Sequence, residues 1–333
     1  MMTTVRSFLI AFLLMTSLGR AQTSRSGAFH ADIQIQDGAA KYPELSGWVA
    51  TVSDEAGSVR YRLSKEVPYD VPYPALYLSD ADGRSVVVSS FNGTIEYVDG
   101  RGNVTRVLTP FGEGTPEYER NIKCSIAGER AAFLLSSPLW SNARVFMTDM
   151  DGDVVWTVDL EGTHAGEVFL ASDGTHLVAG SYVAGVLPVF ATALLDGQGG
   201  RVRTFDMLFR HADISPENGK LALTDRNSIL LTTTQPEAPV VRWSTDSKDR
   251  IITGVCFFDA FIALTAEQIL VEDGTPYYTD PRLVVLDAHG MLRATRVLEG
   301  KSKNPVQLVR KGSEVVMSGA SSSLLFSADE LTR

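Results

Sequence analysis

Val145-Phe146-Met147-Thr148-Asp149-Met150-Asp151-Gly152-Asp153-Val154-Val155-Trp156-Thr157-Val158 decides the fold class of this chain. An apolar run meets an Asp/Gly turn and resumes at once as a second apolar run. The reading is strand, tight turn, strand, because an acidic residue followed by glycine supplies the positive φ that a short hairpin connection needs. The same pattern recurs outward in both directions between Trp48 and Phe326, with a period of about forty to fifty residues.

Each copy holds four strands, a to d, as two successive hairpins. The a–b hairpins are Ala75–Phe91, Lys123–Ser136, Val168–Tyr182, Ala212–Thr224, Val255–Thr265 and Val306–Ser318. Their turns carry Asp82-Gly83, Gly128-Glu129, Asp173-Gly174, Asn218-Gly219 and Lys311-Gly312, and Asp259-Ala260 alone lacks glycine. The c–d hairpins are Trp48–Leu63, Thr94–Leu108, Val145–Leu160, Ala191–Leu208, Ile229–Ser244 and Leu283–Leu298, with Asp99-Gly100, Asp151-Gly152, Asp196-Gly197 and His289-Gly290 at turns. An aromatic residue recurs on strand d, as Tyr61, Trp156, Phe205 and Trp243. These rings are expected to pack between adjacent sheets.

A unit that repeats and cannot bury its faces alone must stack on its neighbours. No intervening stretch has helical periodicity, so the expected class is all-β. Repeated four-stranded units predict a β-propeller of six or seven four-stranded blades, seven being the better count. A sandwich would not repeat internally, and a β-helix would use shorter rungs. Phe29–Gln36 and Ser323–Ser327 also read as strands. The ring is therefore expected to close by pairing of N- and C-terminal strands in one composite blade.

Two stretches carry a family resemblance. Val145–Val158 resembles the repeat of quinoprotein-type (PQQ-like) propellers. Ile214-Ser215-Pro216-Glu217-Asn218-Gly219-Lys220-Leu221-Ala222 is similar to the SPDGK-L turn of WD40-like and TolB-like propellers. The resemblance implies the propeller superfold over residues 22–333 as a single domain. It implies no particular activity, since these turns are structural.

The formal net charge of −10 argues against nucleic acid or an anionic membrane as the main partner. At the N-terminus, Arg6, the apolar run Phe8–Met15 and Gly19-Arg20-Ala21 form the pattern of an export signal over residues 1–21. The run is too short to span a bilayer. The expected mature protein is soluble, in a periplasm or outside the cell. Cys124 and Cys256 fall on the first strands of two repeats with two repeats between them, so they are expected to be buried rather than bridged.

In a propeller the b–c and d–a connections share one end. Here they are aromatic: Tyr69, Tyr73, Phe111 and Tyr118 in d–a loops, and Phe91, Trp140, Tyr182, Tyr277 and Tyr278 in b–c loops. Charged residues such as Arg120 lie among them, and His164 and His211 come near the start of a-strands, facing the channel mouth. Rings give large contact area at low entropic cost. Tyr69, Tyr73, Phe111, Tyr118, Arg120, Trp140, Tyr182, His211, Tyr277 and Tyr278 are thus the candidate contacts, and the expected partner is a protein or peptide. The alternative is a propeller enzyme of lactonase, lyase or glycosidase type, with its site at the channel mouth. The histidines lack metal-ligand spacing. Asp149–Asp153 resembles the start of a calcium loop without its downstream glutamate, and reads as a turn. No catalytic or dinucleotide fingerprint appears, and no cofactor or metal is expected.

Overall fold

The computed structural model describes residues 22–23, 27–36, 45–68, 71–112, 114–215, 217–257, 261–270, 276–287, 289–299, 301–302, 307–311, 314–318 and 324–327. Residues 1–21, read as an export signal, and the Asp259-Ala260 turn lie outside them. Contacts divide the chain into two compact units, one ending at Arg120 and one running from Asn121.

The first unit holds two sheets. Sheet 1 is β1 (Gln22–Thr23), β2 (Phe29–Gln36), β3 (Leu45–Asp54) and β4 (Val59–Pro68); sheet 2 is β5 (Ala75–Leu78), β6 (Ser85–Ser89), β7 (Thr94–Val98) and β8 (Val104–Leu108). In both, each strand pairs antiparallel with the next in sequence.

The second unit repeats that meander. Sheet 3 is β9 (Asn121–Ala127), β10 (Arg130–Ser136), β11 (Ala143–Asp149) and β12 (Val154–Leu160). Sheet 4 is β13 (His164–Leu170), β14 (His176–Val183), β15 (Val189–Asp196) and β16 (Arg201–Phe205). Sheet 5 is β17 (His211–Ile214), β18 (Lys220–Thr224), β19 (Ser228–Thr233) and β20 (Val241–Ser244). Sheet 6 is β21 (Arg250–Phe257), β22 (Phe261–Leu270), β23 (Pro276–Leu286) and β24 (Leu292–Val297), with β25 (Lys301–Ser302) added beside β23. Sheet 7 is β26 (Gln307–Lys311), β27 (Glu314–Ser318) and β28 (Leu324–Ser327).

All twelve hairpins expected from the sequence are present, on seven sheets among the described residues. The composite blade is not. Sheet 1 draws all four strands from its own neighbourhood, because Gln22 and Thr23 pair with Ala31 and His30, and sheet 7 has three strands of its own. Closing a short local loop costs less chain entropy than joining segments from opposite ends.

Where side chains are described, burial is graded across the sheets. Strands β6 and β21 are buried along their whole length, whereas the fourth strands β8 and β24 are mostly exposed. That gradient explains continuous apolar runs in the inner strands and mixed composition in the last. Cys124 and Cys256 are buried and unbridged on β9 and β21, first strands as expected.

The d-strand aromatics pack against the following sheet. Tyr61 hydrogen-bonds through its hydroxyl to the Gly83 carbonyl (2.8 Å) and the Ser85 hydroxyl (2.9 Å), and burial pushes that hydroxyl up to about 12. Trp156 donates from Nε1 to the Gly197 carbonyl at 3.1 Å. Phe205 and Trp243 belong to the next two cores.

Five c–d turns share one device. Asp54, Asp99, Asp149, Asp196 and Asp287 each accept the N–H four residues on, and the glycine three residues on has positive φ. The left-handed residue after Asp99 and Asp196 is therefore Gly102 and Gly199, not the adjacent glycine that the sequence suggested. Asp149 Oδ1 accepts from the N–H groups of Asp151 and Asp153, so the calcium-like stretch is a turn. A Cβ at Gly199, where φ is +83°, would lie 2.9 Å from the Trp156 ring. Gly199→Ala is expected to lose about 1–2 kcal/mol in urea denaturation. Gly185→Ala, whose nearest neighbour would be 3.8 Å away, should change little.

Candidate functional site: the loop end of the second unit

In an antiparallel meander the b–c hairpin connection and the link to the next sheet leave from the same end. In the second unit that end carries, sheet by sheet, an aromatic turn, an apolar ribbon, a cationic pair and an ion network.

On sheet 3, a turn after β10 is held by Trp140 N–H donating to the Ser137 carbonyl (2.9 Å). It leaves Leu139 63% exposed. Arg144 lies over the half-buried Trp140 ring, 5.5 Å from its centroid, and pairs with Asp159 at 2.9 Å.

On sheet 4, no charged residue occurs from Leu177 to Leu195. Val183 to Phe190 are exposed throughout, with Leu187 at 86% and Val189 at 66%. The His164 ring stacks on Tyr182 with centroids 5.0 Å apart, and Tyr182 meets Phe190 at 6.1 Å. Elsewhere, the exposed apolar residues Val104, Val107, Val154, Val155, Leu292 and Val297 lie on fourth strands, where such exposure is ordinary.

On sheet 5, Arg210 N–H donates to the Thr224 carbonyl (2.7 Å), and the Arg226 carbonyl accepts from Ile252 N–H (2.8 Å). Both arginines thus sit at this end. Asp225 is engaged locally, accepting from the Asn227 and Ser228 N–H groups. Loss of water, together with the Arg226 charge, lowers the Arg210 guanidinium from its ordinary value. His211 is half-buried. Its withdrawal from water, reinforced by Arg210, brings the imidazole down to about 4. It is therefore neutral at pH 7, too weak a base for acid–base exchange near neutrality.

On sheet 6, Arg250 is buried and donates to the Asp280 carbonyl (2.9 Å), to Glu267 Oε1 (3.1 Å) and to Asp280 Oδ2. Arg282 donates to the same carboxylate at 2.6 Å. These bonds, that from Arg282 foremost, hold Asp280 below the usual carboxylate range. Asp280 is also the one non-glycine residue with positive φ (48°) among the described residues. No group of three or more His, Cys, Asp or Glu side chains among the described residues is placed to hold a metal.

No family model and no curated protein matches the sequence. Among solved structures the chain is similar to the Dos1 propeller, with TM-score 0.57 and 13% identity over 93% of this chain and 82% of that one. It is also similar to Sqt1 from Chaetomium thermophilum, with TM-score 0.59 and 13% identity over 94% and 81%. The fold is a β-propeller. Its sheets are antiparallel and mostly four-stranded, as in propellers generally, and at this identity the likeness speaks of fold alone.

The candidate residues of this propeller separate by environment. In the first unit, Tyr73 packs against the shared core of sheets 1 and 2. Phe111 is buried. Arg120 donates to the carbonyls of Thr115, Phe91 and Asn92, clamping its own loop. Tyr118, on the 3-10 turn Glu117–Glu119, is 84% exposed. Tyr69 lies outside the described residues. In the second unit, Trp140 lies in the turn after β10 and His211 opens β17, both at the loop end. Tyr182, Tyr277 and Tyr278 stand in strands rather than loops, because β14 and β23 run further than the sequence indicated. Lys301 lies over the Tyr277 ring, 5.9 Å from its centroid.

Sequence reasoning passed over the tip Val186-Leu187, the pair Arg210/Arg226, and Arg250. The run without charge from Leu177 to Leu195, interrupted by Gly185 and Pro188, was the available signal for the first. A buried strand explains such a run equally well.

Proposed function

We propose that the chain is a non-enzymatic binding scaffold that engages a protein through the loop end of its second unit. The observation that carries this reading is the exposed apolar stretch Val183–Phe190, with Leu139 also exposed in the corresponding turn of the preceding sheet. Contiguous exposed apolar surface marks interaction sites, and a rigid sheet end holds the anchoring side chains with little entropy left to lose. Tyr118 offers a separate exposed ring on the first unit.

Pull-down from the native envelope or culture fluid, with partners identified by mass spectrometry, tests this reading. Trp140→Ala combined with Leu187→Glu is expected to reduce recovery of a specific partner about tenfold or more, with an unchanged circular-dichroism spectrum. Tyr118→Ala reports on the first unit. Undiminished recovery with both variants would sink the reading.

The proposal includes export. Arg6 and the run Phe8–Met15 support it, and cleavage after Ala21 would leave β1 intact from its first residue, Gln22. N-terminal sequencing of protein from the native source is expected to begin at Gln22; a chain beginning at Met1 or Met2 would refute it.

A further inference from the structure

We propose that the outer edge of β15 at Val189–Ala191 takes up an extended, uncharged segment of a partner protein as an added strand. This rests on the scaffold reading above and names the edge and the chemistry of the segment.

The β14–β15 ribbon outruns the strand beside it. Its own pairing continues as far as Val183 opposite Val189, whereas β16 pairs with β15 only from Thr192 onward. Val189, Phe190 and Ala191 therefore have no strand on their outer side among the described residues. The link that follows β16 meets β15 at Thr192, whose hydroxyl donates to the Met207 carbonyl at 2.6 Å. A bare edge is a row of backbone donors and acceptors, which proteins commonly guard with charge. No charge guards this one.

Sheet 6 shows the same edge covered. There the β22–β23 ribbon also outruns its fourth strand, since β24 pairs with β23 only from Arg282. Beyond that point Tyr278 and Thr279 pair with Ser302 and Lys301 of β25. A short strand of the chain itself thus occupies on β23 the position that stands open on β15.

Side chains specify the segment further. His164, Tyr182 and Phe190 are paired positions on β13, β14 and β15, and their rings form a row across the sheet. A strand beside β15 sets its own residue next in that row. Aromatic and β-branched side chains favour one another across strands, so the segment carries one of these opposite Phe190. The edge itself offers no ionic partner, which matches a segment without charges.

The test is selection of random peptides displayed on phage against the whole protein, followed by titration calorimetry and hydrogen exchange on the selected peptides. Expected are uncharged sequences alternating in β-branched or aromatic residues, slowed exchange at the Phe190 amide, the one of the three that faces away from β14, and affinity reduced about tenfold or more in Phe190→Lys. Leu187→Lys, at the exposed tip, serves if Phe190→Lys does not fold. Peptides that bind but protect Leu139–Trp140 instead would overturn strand addition and leave the scaffold reading standing. So would failure to select any peptide while the pull-down above still responds to its double variant. Self-association of the chain, or partition onto phosphatidylcholine vesicles, abolished by Phe190→Lys without any peptide binding, would likewise overturn it. Failure of both selection and pull-down would remove both readings.

Discussion

Arg250→Leu is expected to destabilise the protein by about 1.5–3 kcal/mol, the usual range for losing hydrogen bonds to charged groups. The guanidinium is 3% exposed and meets Asp246, Glu267 and Asp280, which retain more contact with water. One planar fork ties β21 to two places on the β22–β23 ribbon, including the backbone carbonyl of Asp280. Asp280 has left-handed backbone geometry, which an aspartate adopts at modest cost. Without Arg250, only Arg282 remains on its carboxylate. Arg250→Lys keeps the charge but not the fork, since an ammonium cannot reproduce the planar donor array. It should therefore fall between wild type and Arg250→Leu in urea denaturation. Equal midpoints for wild type and Arg250→Leu would show that the network contributes nothing net.

The sheets were legible because their signals are local. An Asp/Gly turn between apolar runs reports a hairpin whatever surrounds it, so every a–b and c–d pair could be placed from the sequence. What escaped depends on lengths and neighbours. Gln22–Thr23 is too short to show alternation, yet it completes sheet 1. Thr192 marks where β16 stops covering β15, and that limit, rather than any residue of Val186-Leu187, decides that the tip is exposed. Arg120 shows the converse. Its place among aromatic loop residues reads as a contact, but three carbonyls of its own unit engage it. Composition locates a surface; only packing shows which of its side chains are already occupied.

Stability is expected to fall as the pH drops from about 6.5 toward 4, with His211 responsible for about 3 kcal/mol of the loss. The folded imidazole sits at about 4 against an ordinary 6.5, a difference that corresponds to that free energy. A depressed folded value means that the unfolded chain takes up the proton first. The contribution is therefore complete above pH 6.5 and is lost as the pH falls toward the folded value. Withdrawal from water is the main cause and the Arg210 charge the second, partly offset by a hydrogen bond with the backbone of Ile252. Around Arg210 stand Arg226, Asp225, Glu167 and Tyr278, and the two carboxylates temper the cationic field. The depressed carboxyls of Asp99, Asp280 and Asp287 act in the opposite half of the acid range. Their contributions are present above the ordinary carboxylate value and disappear only below pH 4. The two windows can thus be separated in one titration. Urea denaturation at intervals from pH 7.5 to 4.5 (roughly the span between ordinary and folded His values) should show a slope in wild type that His211→Asn largely removes. A slope unchanged by His211→Asn would mean that the proton goes elsewhere, and that this imidazole is not held neutral beside Arg210.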